Sequence, residues 1–148
     1  MSTDPHALFQ LTGPLAILGW LSLVLAPFAP RLTDAIASLV IPALLSVGYT
    51  ALILVHWAGA PGGFDSLANV MALFTHPGVA LAGWVHYLAF DLFVGAWITR
   101  TARAERIPHL LILPCLVLTF LFGPAGFLAF TALRASLAAR ARMTGATA

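Results

Sequence analysis

The chain contains no lysine and one cysteine, and only 8% of its 148 residues are charged. Ordinary soluble domains carry about 25%, so too little polar surface exists to coat a water-soluble core of this size. The lone Cys115 excludes a disulfide framework and a thiolate metal site. Inside an apolar run it reads as a buried structural thiol. No Gly-rich phosphate cradle, nucleophile elbow or dinucleotide fingerprint occurs, so the chemistries those motifs support have no foothold. Histidines at HxxxH or HExxH spacing are also missing. His6, His56, His76 and His109 fall near the ends of apolar runs or in loops, where solvated interfacial rings explain them; no metal and no cofactor is expected.

The seven arginines and five acids leave four windows free of charge: Pro5–Pro30, Ala35–Phe64, Ser66–Phe90 and Ile107–Leu133. Each holds the ~20 apolar residues that cross a hydrocarbon core about 30 Å thick. Without water to satisfy the backbone, such runs form helices. The expected architecture is all-α, an integral membrane four-helix bundle in one domain over 1–148. Its spans lie at about 7–26, 35–57, 79–99 and 108–133. Asp34 stands where it can cap the second span. The Gly/Pro-rich loop 58–63 breaks the chain after that span. Over 64–75, Phe64, Leu67, Met71 and Phe74 recur at helical spacing, which predicts a short amphipathic helix in the membrane interface between spans 2 and 3.

The first five residues lack the basic region of a signal peptide, so the first run reads as a retained span. Four spans place both ends of the chain on one face, with a frayed tail after Arg134 carrying Arg140 and Arg142. Arg31, Arg100, Arg103 and Arg106 then oppose Arg134, Arg140 and Arg142. The positive-inside rule leans towards the first set being cytoplasmic. The basic stretch after span 3 reads as a topology anchor rather than a lipid-binding or nucleic-acid patch, and no nucleic-acid partner is expected. Exclusive use of arginine points to a GC-rich bacterial genome and an inner-membrane location.

Function in such a chain concentrates where polarity is tolerated at depth. Asp91 falls near the middle of the third span, where an acid costs ~2.5–3.5 kcal/mol on insertion scales. It is either a site residue or an interhelical lock. At ~100° per residue, Trp84, Tyr87, Leu88, Asp91 and Gly95 share one face; His86, Phe90, Phe93 and Trp97 share another. His86 and Asp91 point about 140° apart, too far for a tight acid–base pair on a regular helix. Tyr49, Thr50, His86 and the Gly13-Pro14 and Gly123-Pro124 breaks fall at a similar depth. They outline either a small polar pocket or kinks satisfied locally. Pro124 should free the carbonyl of Phe120, and Pro14 that of Gln10. Thr119 is a candidate partner for Asp91.

The third-span segment Trp84-Val85-His86-Tyr87-Leu88-Ala89-Phe90-Asp91-Leu92-Phe93 resembles the W-x-H-x-L-x-x-D-L-F core of the plant neoxanthin synthase family, the abscisic-acid-deficient-four-like proteins. Ile41-Pro42, the 64–74 stretch and Leu118-Thr119-Phe120-Leu121-Phe122-Gly123-Pro124-Ala125-Gly126 resemble further family pieces in the same order, over about residues 10–135. The resemblance implies carotenoid metabolism, specifically a cofactor-independent isomerisation that opens a xanthophyll epoxide and creates an allene. Such chemistry needs an acid at the epoxide oxygen and a base at the neighbouring carbon. The expected catalytic residues are Asp91 and His86. Trp84, Tyr87, Phe90, Trp97, Tyr49 and Thr119 are expected to bind the substrate, with Phe93 and Phe120 completing an apolar groove. The expected partners are membrane lipid and a carotenoid, with a homo-oligomer or a larger membrane complex as a further option. The alternatives are a non-catalytic carotenoid- or lipid-binding protein and an assembly partner that buries its Gly95 face against another subunit.

Overall fold

The computed structural model describes residues 4–145; Met1 to Thr3, on which part of the leader reading rests, lie outside the described residues. The described chain is all-helical, without strands. Helix α1 spans Pro5–Val24, with the Asp4 carboxylate accepting from the His6 N–H at its start and Pro5 in the first turn. Helix α2, Pro30–Ala35, runs through a wide turn at Ile36–Val40 into α3, Ile41–His56, and a tight turn at Trp57–Gly59. Together they form one rod, Pro30–Gly59. The wide turn precedes Pro42, which has no N–H to give the ladder and whose ring crowds the carbonyl four residues back.

Asp34 does not cap this rod. It lies inside α2 and pairs with Arg103, because the helix already starts at Pro30, a residue suited to the first turn.

Helix α4, Leu67–Leu73, is shorter than the expected 64–75. Ser66 caps it by accepting from the Asn69 N–H, and Leu73 is buried while Leu67 and Met71 stand exposed. Helix α5, Pro77–Ala104, is about 42 Å long at 1.5 Å per residue and forms the spine. Small residues on both helices let α1 and α5 approach closely: a Cβ on Gly19 of α1 would meet Leu92 at 2.4 Å, and one on Gly95 of α5 would meet Trp20 at 2.8 Å. The Gly95 face is therefore covered by α1.

The fourth apolar stretch departs from expectation. One helix from Pro108 to Leu133 would carry Arg134 about 39 Å from the loop that holds Glu105. Instead Arg134 Nε donates to Glu105 Oε2 at 2.8 Å. The stretch divides into α6, His109–Phe122, and α7, Pro124–Gly145. Gly123 between them takes φ +36°, a conformation that favours glycine, and Pro124 cannot continue the α6 ladder. Gly126 then lies against the Thr119 side chain and the Cys115 carbonyl, so α7 folds back along α6. At 14 residues, α6 is about 21 Å long, too short for a hydrocarbon core of about 30 Å.

The result is a re-entrant hairpin that returns to the face it left. Trp97 of α5 packs against both Phe127 and Phe130, and Phe130 is fully buried. Among the described residues, three helices are long and apolar enough to cross a membrane: Pro5–Val24, Pro30–Gly59 and Pro77–Ala104. The protein is an integral membrane protein. Two further expectations change with the hairpin. Helix α7 stays ordered to Gly145 rather than fraying after Arg134. Its far end lies opposite the start of α1, so Arg134, Arg140 and Arg142 join Arg31, Arg100, Arg103 and Arg106 at one face.

Candidate functional site

The tip of the hairpin meets α5 at Asp91. The side chain is 8% exposed, and a Cβ on Gly123 would fall 2.4 Å from its Oδ1. Only glycine lets the turn settle on the carboxyl group. Asp91 Oδ2 is buried and has no hydrogen-bond partner among the described residues.

One helical turn earlier, on the same face, the Tyr87 hydroxyl lies 3.1 Å from the Phe120 carbonyl and 3.0 Å from that of Leu121, to which it donates. These are the carbonyls left open where α6 ends. Pro124 frees Phe120 as its missing N–H dictates, and the tyrosine takes up the vacancy.

Aromatic rings continue this face in both directions. Trp84 stacks on Tyr87 at 5.5 Å and meets Phe9 of α1 at 5.7 Å. Phe120 meets Trp20 edge-on at 5.4 Å. Because the hairpin stops at the depth of Tyr87, Trp84 beyond it remains 39% exposed. A polar floor made of Asp91, Tyr87 and two carbonyls thus underlies an aromatic wall open to lipid.

The other expected site residues lie elsewhere. His86 is exposed and packs on Phe90 at 4.6 Å and Tyr49 at 5.7 Å. With Tyr49, Ile53, Trp57 and Phe74 it lines a separate pocket of about 210 Å³. The angular separation of His86 and Asp91 along α5 therefore survives folding. Trp97 belongs to neither group: its ring is held by Phe127, Phe130 and the Arg134 guanidinium, 5.9 Å away.

Thr119 does not reach Asp91. Its hydroxyl donates to the Cys115 carbonyl at 2.8 Å, as hydroxyls in helices often do. Thr50 likewise donates to Ser46 at 2.8 Å. The single polar level combining Tyr49, His86 and Gly123-Pro124 is thus two sites, because the hairpin docks its break on the Asp91 face of α5.

Sequence reasoning missed Gly126 and the turn. A signal existed in the 14 residues before Gly123-Pro124, too few to cross. A family model described as ABA DEFICIENT 4-like matches residues 7–130. No curated protein and no solved structure matches the chain.

Proposed function

The chain belongs to the ABA DEFICIENT 4-like family, and from that membership we propose a membrane-embedded isomerase of xanthophyll epoxides in which Asp91 moves the proton. The reading rests above all on one observation, the buried Asp91 Oδ2 without a hydrogen-bond partner among the described residues, beside a lipid-open aromatic wall.

In this scheme the protonated carboxyl gives its proton to the epoxide oxygen as the C–O bond opens. Its other oxygen takes the proton from the neighbouring carbon, and the electrons of that C–H bond form the new double bond. One proton enters and one leaves, so no redox partner is needed. Tyr87 positions the ring end of the substrate, and Trp84 and Phe120 pack on the polyene. His86, with Tyr49 and Phe90, stays outside the reacting centre. The arginine-bearing face is cytoplasmic under the positive-inside rule, in a bacterial inner membrane.

The test is expression in a host supplying an epoxy-xanthophyll, with the pigments separated by chromatography. Wild type and His86→Ala should form the isomer, while Asp91→Asn, similar in shape and unable to titrate, should form none. Product from Asp91→Asn would end the proton-transfer role. Pigment that copurifies without being converted would favour a carotenoid-binding protein.

A further inference from the structure

At the arginine-bearing face, α1, α5 and α6 enclose a pocket of about 260 Å³ lined by Ala26, Thr99, Arg103, Arg106, Ile107 and His109. The charge balance within it is uneven. Arg103 is matched by Asp34, and Glu105 is matched by Arg134. Arg106, exposed at the rim, has no acid partner among the described residues.

Its backbone is also unusual. Arg106 takes φ +57° at the end of α5, where the Ile107 N–H reaches back to the Ala102 carbonyl at 2.8 Å. That left-handed closing position favours glycine. An arginine there carries a conformational cost that no hydrogen bond or ion pair of its side chain offsets among the described residues.

A second feature begins where the pocket ends. His109 Nε2 donates to the Val24 carbonyl at 3.1 Å, bridging α6 and α1. On the membrane side of this bridge, Leu21, Val24, Leu113, Leu116, Trp20 and Phe120 line a wholly apolar groove of about 440 Å³. It descends between α1 and α6 towards the hairpin tip. A cationic pocket at the helix ends thus stands directly above an apolar channel at acyl-chain depth.

We propose that this composite site binds an anionic phospholipid, its phosphodiester on Arg106 and one acyl chain in the α1–α6 groove. One negative phosphodiester balances the pocket's one guanidinium that has no acid among the described residues, and the groove offers no polar group that an acyl chain would leave unsatisfied. The groove shares the Phe120 ring with the proposed polyene wall but no group with the reacting centre at Asp91, and its test does not depend on catalysis.

The experiment follows thermal unfolding of the full chain in neutral detergent. Added ligands are phosphatidylglycerol, phosphatidylcholine, the water-soluble headgroup glycerophosphoglycerol, and inorganic phosphate. Phosphatidylglycerol should raise Tm by several degrees more than phosphatidylcholine, and the two soluble anions should leave Tm unchanged. Arg106→Gly hands the left-handed position to the residue that suits it. That variant should be at least as stable in phosphatidylcholine while losing the preference for phosphatidylglycerol; Arg106→Gln should lose the same preference. Equal shifts from both lipids, or a preference retained in either variant, would overturn the proposal. A shift from either soluble anion as large as that from phosphatidylglycerol would reduce the site to an anion pocket without a lipid chain and overturn it too.

Discussion

Tyr87, Gly123 and Gly126 each perform one task at the hairpin tip, and each is separable by substitution. Tyr87→Phe keeps the ring stacked on Trp84 but leaves the Phe120 and Leu121 carbonyls without their donor. Hydrogen bonds between membrane helices average about 0.6 kcal/mol, so thermal unfolding in detergent should show a loss of about 1 kcal/mol or less. Gly126→Ala should cost more. Its Cβ would lie 2.0 Å from Thr119 Oγ1 and 2.6 Å from the Cys115 carbonyl oxygen. Backbone cannot yield as a side-chain end can, and overpacking of this kind costs about 1–3 kcal/mol. An unchanged unfolding temperature in Gly126→Ala would mean that α7 does not pack on α6 at this point.

The hairpin as an element is fastened at both ends, by Gly126 on Thr119 at the tip and by Arg134 on Glu105 at its base. The Arg134 guanidinium holds the Glu105 carboxyl below its ordinary value of 4.5. A folded-state value below the unfolded one means that the pair adds stability above the unfolded value. That contribution fades as pH falls through the folded one. Wild type should therefore melt higher than Arg134→Gln at pH 7, and the gap should close as pH falls below 4.5 and through the lowered folded-state value. A gap that persists unchanged at pH 3 would show that Arg134 acts through Trp97 and Phe130 alone.

Across the whole molecule, the hairpin changes the count of crossings and with it the distribution of charge. All seven arginines lie at one end of the three long helices, where four spans would have divided them four against three. Single cysteines in a Cys115→Ala background should report this directly. Ala104→Cys and Ser136→Cys should react from the same side of the membrane with an impermeant thiol reagent, and Ala58→Cys from the other. If Ser136→Cys instead labels together with Ala58→Cys, the fourth stretch crosses completely and the hairpin is wrong.

The sequence alone determined the solvent and the elements. Four charge-free apolar windows leave helices as the only way to satisfy the backbone in lipid, and the spacing of Asp91 and His86 along one helix already separated them. The open Phe120 carbonyl was legible in Pro124, because a missing N–H is a local fact. Tertiary structure decided the rest: whether the last apolar stretch crosses or returns, which side chain takes up that carbonyl, and where the arginines collect. Those outcomes depend on Gly123 seated on Asp91, Gly126 against Cys115 and Arg134 on Glu105. Each joins residues whose meeting no periodicity encodes, since hydropathy measures affinity for lipid and carries no record of direction.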